Sequence, residues 1–162
     1  MRAKRAGTIV NVSSVAGQDG LPSCGMYAAS KFALEGLTEA LQREVEPYRI
    51  DVLIVEPGMF RTNFLSAVEI TKAGVSPAYS PGPVQDILNK FDGAIGKQPG
   101  DPARAAARIF EVVTGTGMAG NLKGKILRLP LGGDCVERIE AKNKKIAEDL
   151  QAARDASLST AF

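Results

Sequence analysis

The chain contains no histidine, and its only cysteines are Cys24 and Cys135. The first absence excludes a serine–histidine–aspartate triad. Two cysteines so far apart make no disulfide framework, so a reducing, cytoplasmic setting is expected. Without histidine or a cysteine pair at ligand spacing, no metal site is expected. An excess of charge of either sign is also lacking: 20 lysines and arginines face 18 acidic residues, a net charge of +2 over 162 residues. That balance gives no reason to expect nucleic acid or an acidic partner. No apolar run reaches membrane length. The basic cluster Arg2, Lys4 and Arg5 precedes an apolar stretch too short for a signal-peptide core. It reads as a solvated turn, and no membrane partner is expected.

What is present looks like an ordinary globular domain. Hydrophobic residues make up 44% and charged residues 23%, and this length can bury a core. Residues 1–162 read as a single domain without internal repeats.

The densest chemistry lies early. Tyr27-Ala28-Ala29-Ser30-Lys31 sets a phenol and an ammonium one helical turn apart, on one face of a helix. A free phenol titrates at about 10, too high for proton transfer near neutrality. A nearby cation favours the phenolate, one way to make tyrosine a general acid/base. Before this helix, Ile9, Val10 and Val12 form a β-branched strand that ends in Ser13-Ser14. After it, Ile50 to Glu56 reads as a second strand stopped by Pro57-Gly58, with Thr62 beyond. Two strands flanking one helix predict an α/β unit, with both strand ends on the sheet edge where such folds bind ligands.

The run Asn11-Val12-Ser13-Ser14, then Tyr27 to Lys31, then Pro57-Gly58 with Thr62, resembles the short-chain dehydrogenase/reductase family. The resemblance implies an NAD(P)-dependent oxidoreductase that interconverts a secondary alcohol and a ketone. It implies that Ser14 holds the substrate oxygen, Tyr27 exchanges a proton with it, and Lys31 supports Tyr27 and bonds the nicotinamide ribose. Pro57, Gly58 and Phe60 would line the nicotinamide, and Thr62 would hydrogen-bond the cofactor. The cofactor would be NAD or NADP, and the substrate a small alcohol or carbonyl compound. The segment Lys31 to Gly36 resembles the steroid- and retinol-handling branch, and the helix it sits on implies a homo-oligomer. No glycine-rich opening turn is found, so the expected fold is the C-terminal portion of a Rossmann-type doubly wound parallel sheet, with the N-terminal dinucleotide-binding half absent. The alternative to an active enzyme is a catalytically inactive, truncated remnant that binds related subunits.

Gly115, Gly117 and Gly120 spell a glycine-rich fingerprint in the wrong setting. The fingerprint needs a strand before it and a helix opening inside it. Here Ala103 to Val113 reads as a helix with Ala106, Ile109, Phe110 and Val113 on one stripe, so the glycines read as a helix cap and loop. Asp101-Pro102 is a helix start. Residues 58–100, with Pro77, Pro81, Pro83 and Pro99, read as an irregular substrate loop holding a short helix, Val84 to Phe91. Phe60, Phe64, Leu65 and Tyr79 are its candidate apolar lining. The helix from Met26 to Glu46 is expected to turn Phe32, Leu37, Leu41 and Val45 inward. The last strand is expected at Ile126 to Leu129. A helix from Val136 to Ala152 is expected to bury Ile139, Ile146 and Leu150, with residues 155–162 as a frayed tail.

Overall fold

Glycine at position 7 and serines at 13 and 14 bracket the first strand, β1 (Thr8–Val12). The computed structural model describes residues 1–68 and 74–161. After β1 come a 3-10 turn (Val15–Gly17), helix α1 (Gly25–Val45) and strand β2 (Asp51–Pro57). An irregular stretch leads to α2 (Pro83–Ala94), α3 (Pro102–Thr114), β3 (Arg128–Leu131) and α4 (Gly133–Leu158). The substrate-loop expectation for 58–100 falls in part on residues 69–73, outside the described residues.

The three strands form one parallel sheet in the order β1-β2-β3. Thr8 to Val12 pair with Asp51 to Val55, and Ile54 to Pro57 pair with Arg128 to Leu131. The ladder continues past the strands: Ser13 N–H donates to the Val55 carbonyl and Gly58 N–H to the Leu131 carbonyl, both at 2.8 Å. The three C-terminal strand ends, carrying Ser13-Ser14, Pro57-Gly58 and Gly132-Gly133, therefore lie along one edge.

Central strand β2 is covered on both faces, which explains its unbroken apolar run Val52 to Val55. Alternation sends Leu53 and Val55 to one side, packed with Val112, Ala119, Leu129 and Leu131. Val52 faces the other side, with Val45 and Ile50. α3 carries the first cover and α1 the second. Asp101 caps α3 as read from the sequence: its carboxylate accepts from Ala103 N–H at 2.8 Å. Gly115 closes that helix in the left-handed conformation, φ 77°, so the glycine motif is a cap and loop.

Several expectations are corrected. β3 runs two residues later than expected, through Pro130. β3 lies at the sheet edge, where a residue with no N–H costs no ladder bond. On α1, Val45 is buried with Leu41 packed beside it, as expected, but Phe32 and Leu37 are exposed, and Ala28, Glu35 and Thr38 complete the buried face. Two polar side chains occupy it because each finds a partner inside: Thr38 accepts from Asn11 Nδ2 at 2.9 Å, and Glu35 meets Arg128. On α3, Phe110 is exposed, and Val112 takes the fully buried place. α4 starts earlier and reaches Leu158, so residues 155–158 are helix, not a frayed tail. Its final turns, Ala147 to Leu158, hold four alanines and two leucines with Glu148, Gln151 and Arg154, strong helix formers on an exposed stretch. Ile146 and Leu150 are exposed, and Cys135 is the buried anchor of this helix. Among the described residues, no helix is long and apolar enough to cross a membrane.

Candidate functional site

Ser14 ends the first strand in extended conformation and caps the 3-10 turn that follows: its Oγ accepts from Ala16 N–H at 3.1 Å. The hydroxyl's own proton is not used by that bond, so it remains a donor. Tyr27 and Lys31 sit in the first two turns of α1, as their spacing predicts. Lys31 Nζ lies 5.8 Å from the centre of the Tyr27 ring. The same ammonium donates to the Val12 carbonyl at 3.0 Å, two residues before Ser14. One lysine thus joins the tyrosine helix to the serine strand. The Phe64 ring packs at 5.5 Å from that of Tyr27, and both Phe64 and Tyr79 are exposed.

Pro57 ends β2, and Gly58 turns the chain away from the sheet. A β-carbon at Gly58 would overlap the Asp134 carboxylate. That carboxylate accepts from Met59 N–H at 2.9 Å, so the turn is pinned from the first turn of α4. Phe60 bridges to Gly100 and packs on the apolar cluster of β2 and β3. It also lines a cavity of about 600 Å³ with Met118, Leu131 and Asp134. Thr62 Oγ1 accepts from Phe64 N–H at 3.3 Å. The buried Gln98 donates to the Thr62 carbonyl at 3.4 Å, and its own carbonyl accepts from Arg61 Nε at 3.2 Å.

Behind the serine, tyrosine and turn segments lies a polar cluster that the sequence reading missed. Glu35 and Glu56 are 4% and 1% exposed. Gln18 Nε2 donates to Glu56 Oε1 at 2.9 Å and to Glu35 Oε2 at 3.3 Å. Arg128 Nε reaches Glu35 Oε2 at 3.0 Å and Glu56 Oε1 at 3.4 Å, and its Nη2 pairs with Glu39. Burial, then the charge of Glu35, pushes Glu56 up from 4.5 to about 7. Gln18 and Arg128 pull the other way and do not cancel it. Burial also works against the charge of Arg128, but Glu39 and Glu35 more than offset it and raise its value. The Cys135 thiol donates to the Glu56 carbonyl at 3.0 Å, and burial pushes it up to about 11. It is therefore a protonated packing group, not a reactive thiolate. The available signal for the cluster was Glu56 itself, an acid ending the buried apolar run of a central strand.

Residues 1–73 match the short chain dehydrogenase family. Over 157 residues the chain is 32% identical to an uncharacterized oxidoreductase of Schizosaccharomyces pombe, a match covering 96% of this chain and 50% of that protein. Over 64 residues it is 53% identical to a 3-ketodihydrosphingosine reductase of Bacteroides thetaiotaomicron, covering 40% of this chain and 24% of the relative. The solved structure of a short-chain dehydrogenase from Streptomyces avermitilis superposes with a TM-score of 0.79 at 35% identity. That match covers 99% of this chain and 55% of the other. The chain thus spans about half the length of the oxidoreductase and of the solved structure.

Proposed function

The chain belongs to the short-chain dehydrogenase/reductase family, and on that premise we propose that it interconverts a secondary alcohol and a ketone, with Tyr27 as general acid/base. The observation that carries this reading is the double engagement of Lys31, which stands beside the Tyr27 ring while bonded to the strand that delivers Ser14. A nicotinamide dinucleotide, NAD or NADP, supplies or accepts the hydride when bound. The residues present fit such a group. An ammonium has three donors, and Lys31 uses one on Val12, leaving others for ribose hydroxyls. The Thr62 hydroxyl accepts from Phe64 and keeps its proton for a cofactor oxygen. Pro57, Gly58 and Phe60 form the adjoining wall at the C-terminal edge of the sheet, where ligands bind in such folds.

In reduction, Ser14 donates its hydroxyl proton as a hydrogen bond to the carbonyl oxygen. Tyr27 transfers its proton to that oxygen as negative charge develops there. The Lys31 charge stabilises the phenolate left behind. In oxidation the same groups act in reverse.

The substrate side is apolar. Phe64 packs beside Tyr27, and Phe64 and Tyr79 present exposed rings. This favours a bulky apolar ketone, steroid- or retinoid-like in shape. The similarity to a 3-ketodihydrosphingosine reductase points to the same broad class. Ala29, Ala33, Gly36, Leu37 and Ala40 form an exposed stripe of small and apolar residues on α1, which supports assembly with a second copy through that helix.

The test is ketone reduction by wild-type protein and by Tyr27→Phe, with cofactor affinity measured in parallel. Loss of turnover of at least about a hundredfold, with affinity kept, is expected from removing a general acid. Substantial residual turnover would remove Tyr27 as the proton donor. Assembly through α1 with no turnover by wild-type protein would favour the subunit-binding alternative.

A further inference from the structure

The proposed reaction needs three chain segments held in register: the Ser14 turn, the Tyr27–Lys31 helix and the Pro57-Gly58 turn. Each has one residue in the buried polar cluster. Gln18 directly follows the 3-10 turn that Ser14 caps. Glu35 lies one helical turn past Lys31 and two past Tyr27, on the same face of α1. Glu56 immediately precedes Pro57. All three meet: the Gln18 amide touches both carboxylates, and Arg128 from β3 bonds the same two oxygens.

We propose that Glu56, held by Gln18, Glu35 and Arg128, is a positioning residue that sets the relative placement of the three segments carrying the site. This rests on the reading of the site given above. Gly17 shows how closely the parts fit. A β-carbon there would stand 2.6 Å from Ser13 Oγ and 3.0 Å from Glu35 Cγ. The turn can close on α1 only because position 17 has no side chain. Ser13 Oγ and Glu35 Oε1 are buried with no hydrogen-bond partner among the described residues, so bonds within the cluster do not saturate it.

The polar and titratable groups around Glu56 and its direct partners come from every neighbouring element. α1 contributes Glu35 and Glu39, and β3 contributes Arg128. The turn after β1 contributes Gln18 and then Asp19, which is paired with Arg138 of α4 at 2.8 Å. α4 also brings Asp134 and the Cys135 thiol. Three carboxylates thus share one guanidinium. When Glu56 is neutral, Arg128 serves Glu35 and Glu39. When it ionises, a third acid competes for Arg128 and Gln18, and all three segments feel it. The change falls at about pH 7.

The test is a pH series of ¹H–¹⁵N spectra from pH 5 to 9. It follows the amides of Ala16, which bonds Ser14, and of Lys31 and Gly58. The chain has no histidine, so no imidazole titrates in this window. Expected are a shared midpoint close to 7 at all three amides and its loss in Glu56→Gln. Gln18→Met should uncouple Ala16 alone and leave Lys31 and Gly58 moving, which keeps the idea testable should Glu56→Gln fail to fold. Separate midpoints, or a shared one that survives Glu56→Gln, overturn the proposal. The spectra need no turnover. If wild-type protein reduces no ketone while the shared midpoint is present, the activity reading fails and the placement proposed here stands.

Discussion

The two faces of β2 are built on different principles. On the α3 face, Leu53 and Val55 meet Val112, Ala119, Leu129 and Leu131 in an apolar cluster, and the Glu111 carboxylate of α3 accepts from Ala119 N–H and pairs with Arg108. On the α1 face, Val52 packs with Val45 and Ile50, but the strand ends in Glu56, among Gln18, Glu35 and Arg128. Apolar packing is strong, non-directional and indifferent to pH. A buried polar cluster adds less stability and more geometry, because each bond fixes a direction. The residues proposed to do chemistry hang from the directional face. The difference suggests a division of labour in which one face holds the sheet together and the other aims the site.

The largest test of that contrast is Leu53→Ala, which should cost roughly 2–5 kcal/mol in denaturant melts. The loss should be the same at pH 5 and pH 8. A pH-dependent loss would mean that the faces are not independent.

Glu56→Gln should behave in the opposite way. The folded value of Glu56, about 7, lies above the ordinary 4.5. Below pH 4.5 the acid is neutral in both states and costs nothing. As pH rises, the unfolded chain releases the proton first, so the native state loses stability up to about pH 7 and no more beyond it. The full penalty is about 3 kcal/mol, at 1.36 kcal/mol per unit. Wild-type protein should therefore lose about that much relative to Glu56→Gln across this window. A constant difference between the two proteins would show that folding does not raise the Glu56 value.

Gly58→Ala should sharpen the picture at the site edge. The added methyl overlaps the Asp134 carboxylate, which must leave Met59 N–H. A cost of about 1–3 kcal/mol is expected, together with weakened cofactor binding in calorimetry. Smallest is Asp101→Ala, about 1 kcal/mol for a lost helix cap. It lies on the α3 side and should leave any turnover unchanged.

What could be read from the sequence was local. Tyr27 and Lys31 were legible because four residues on a helix fix their relation, and Asp101-Pro102 because a cap is a short-range device. The parallel order of strands followed from the helix between them. Glu56 with Arg128 was not legible, because the partner lies on another strand and no periodicity announces it. The same holds for Glu35, whose place on the buried face of α1 reverses the apolar stripe expected from Phe32 and Leu37. β3 was misplaced because its ends are set by its register on β2, which local sequence does not show, and only the edge position lets Pro130 belong to it. α4 ran on past its expected end because helix propensity alone sustains it.

On the proposed function, this edge of the sheet brings a nicotinamide and a ketone together over Tyr27. This is tested most directly by supplying the protein with reduced cofactor deuterated at the transferring position and an apolar ketone. The expected product is an alcohol that carries deuterium on carbon and a solvent-exchangeable proton on oxygen, formed by wild-type protein and not by Tyr27→Phe. Alcohol without deuterium on carbon, or labelled alcohol formed equally well by Tyr27→Phe, would contradict it.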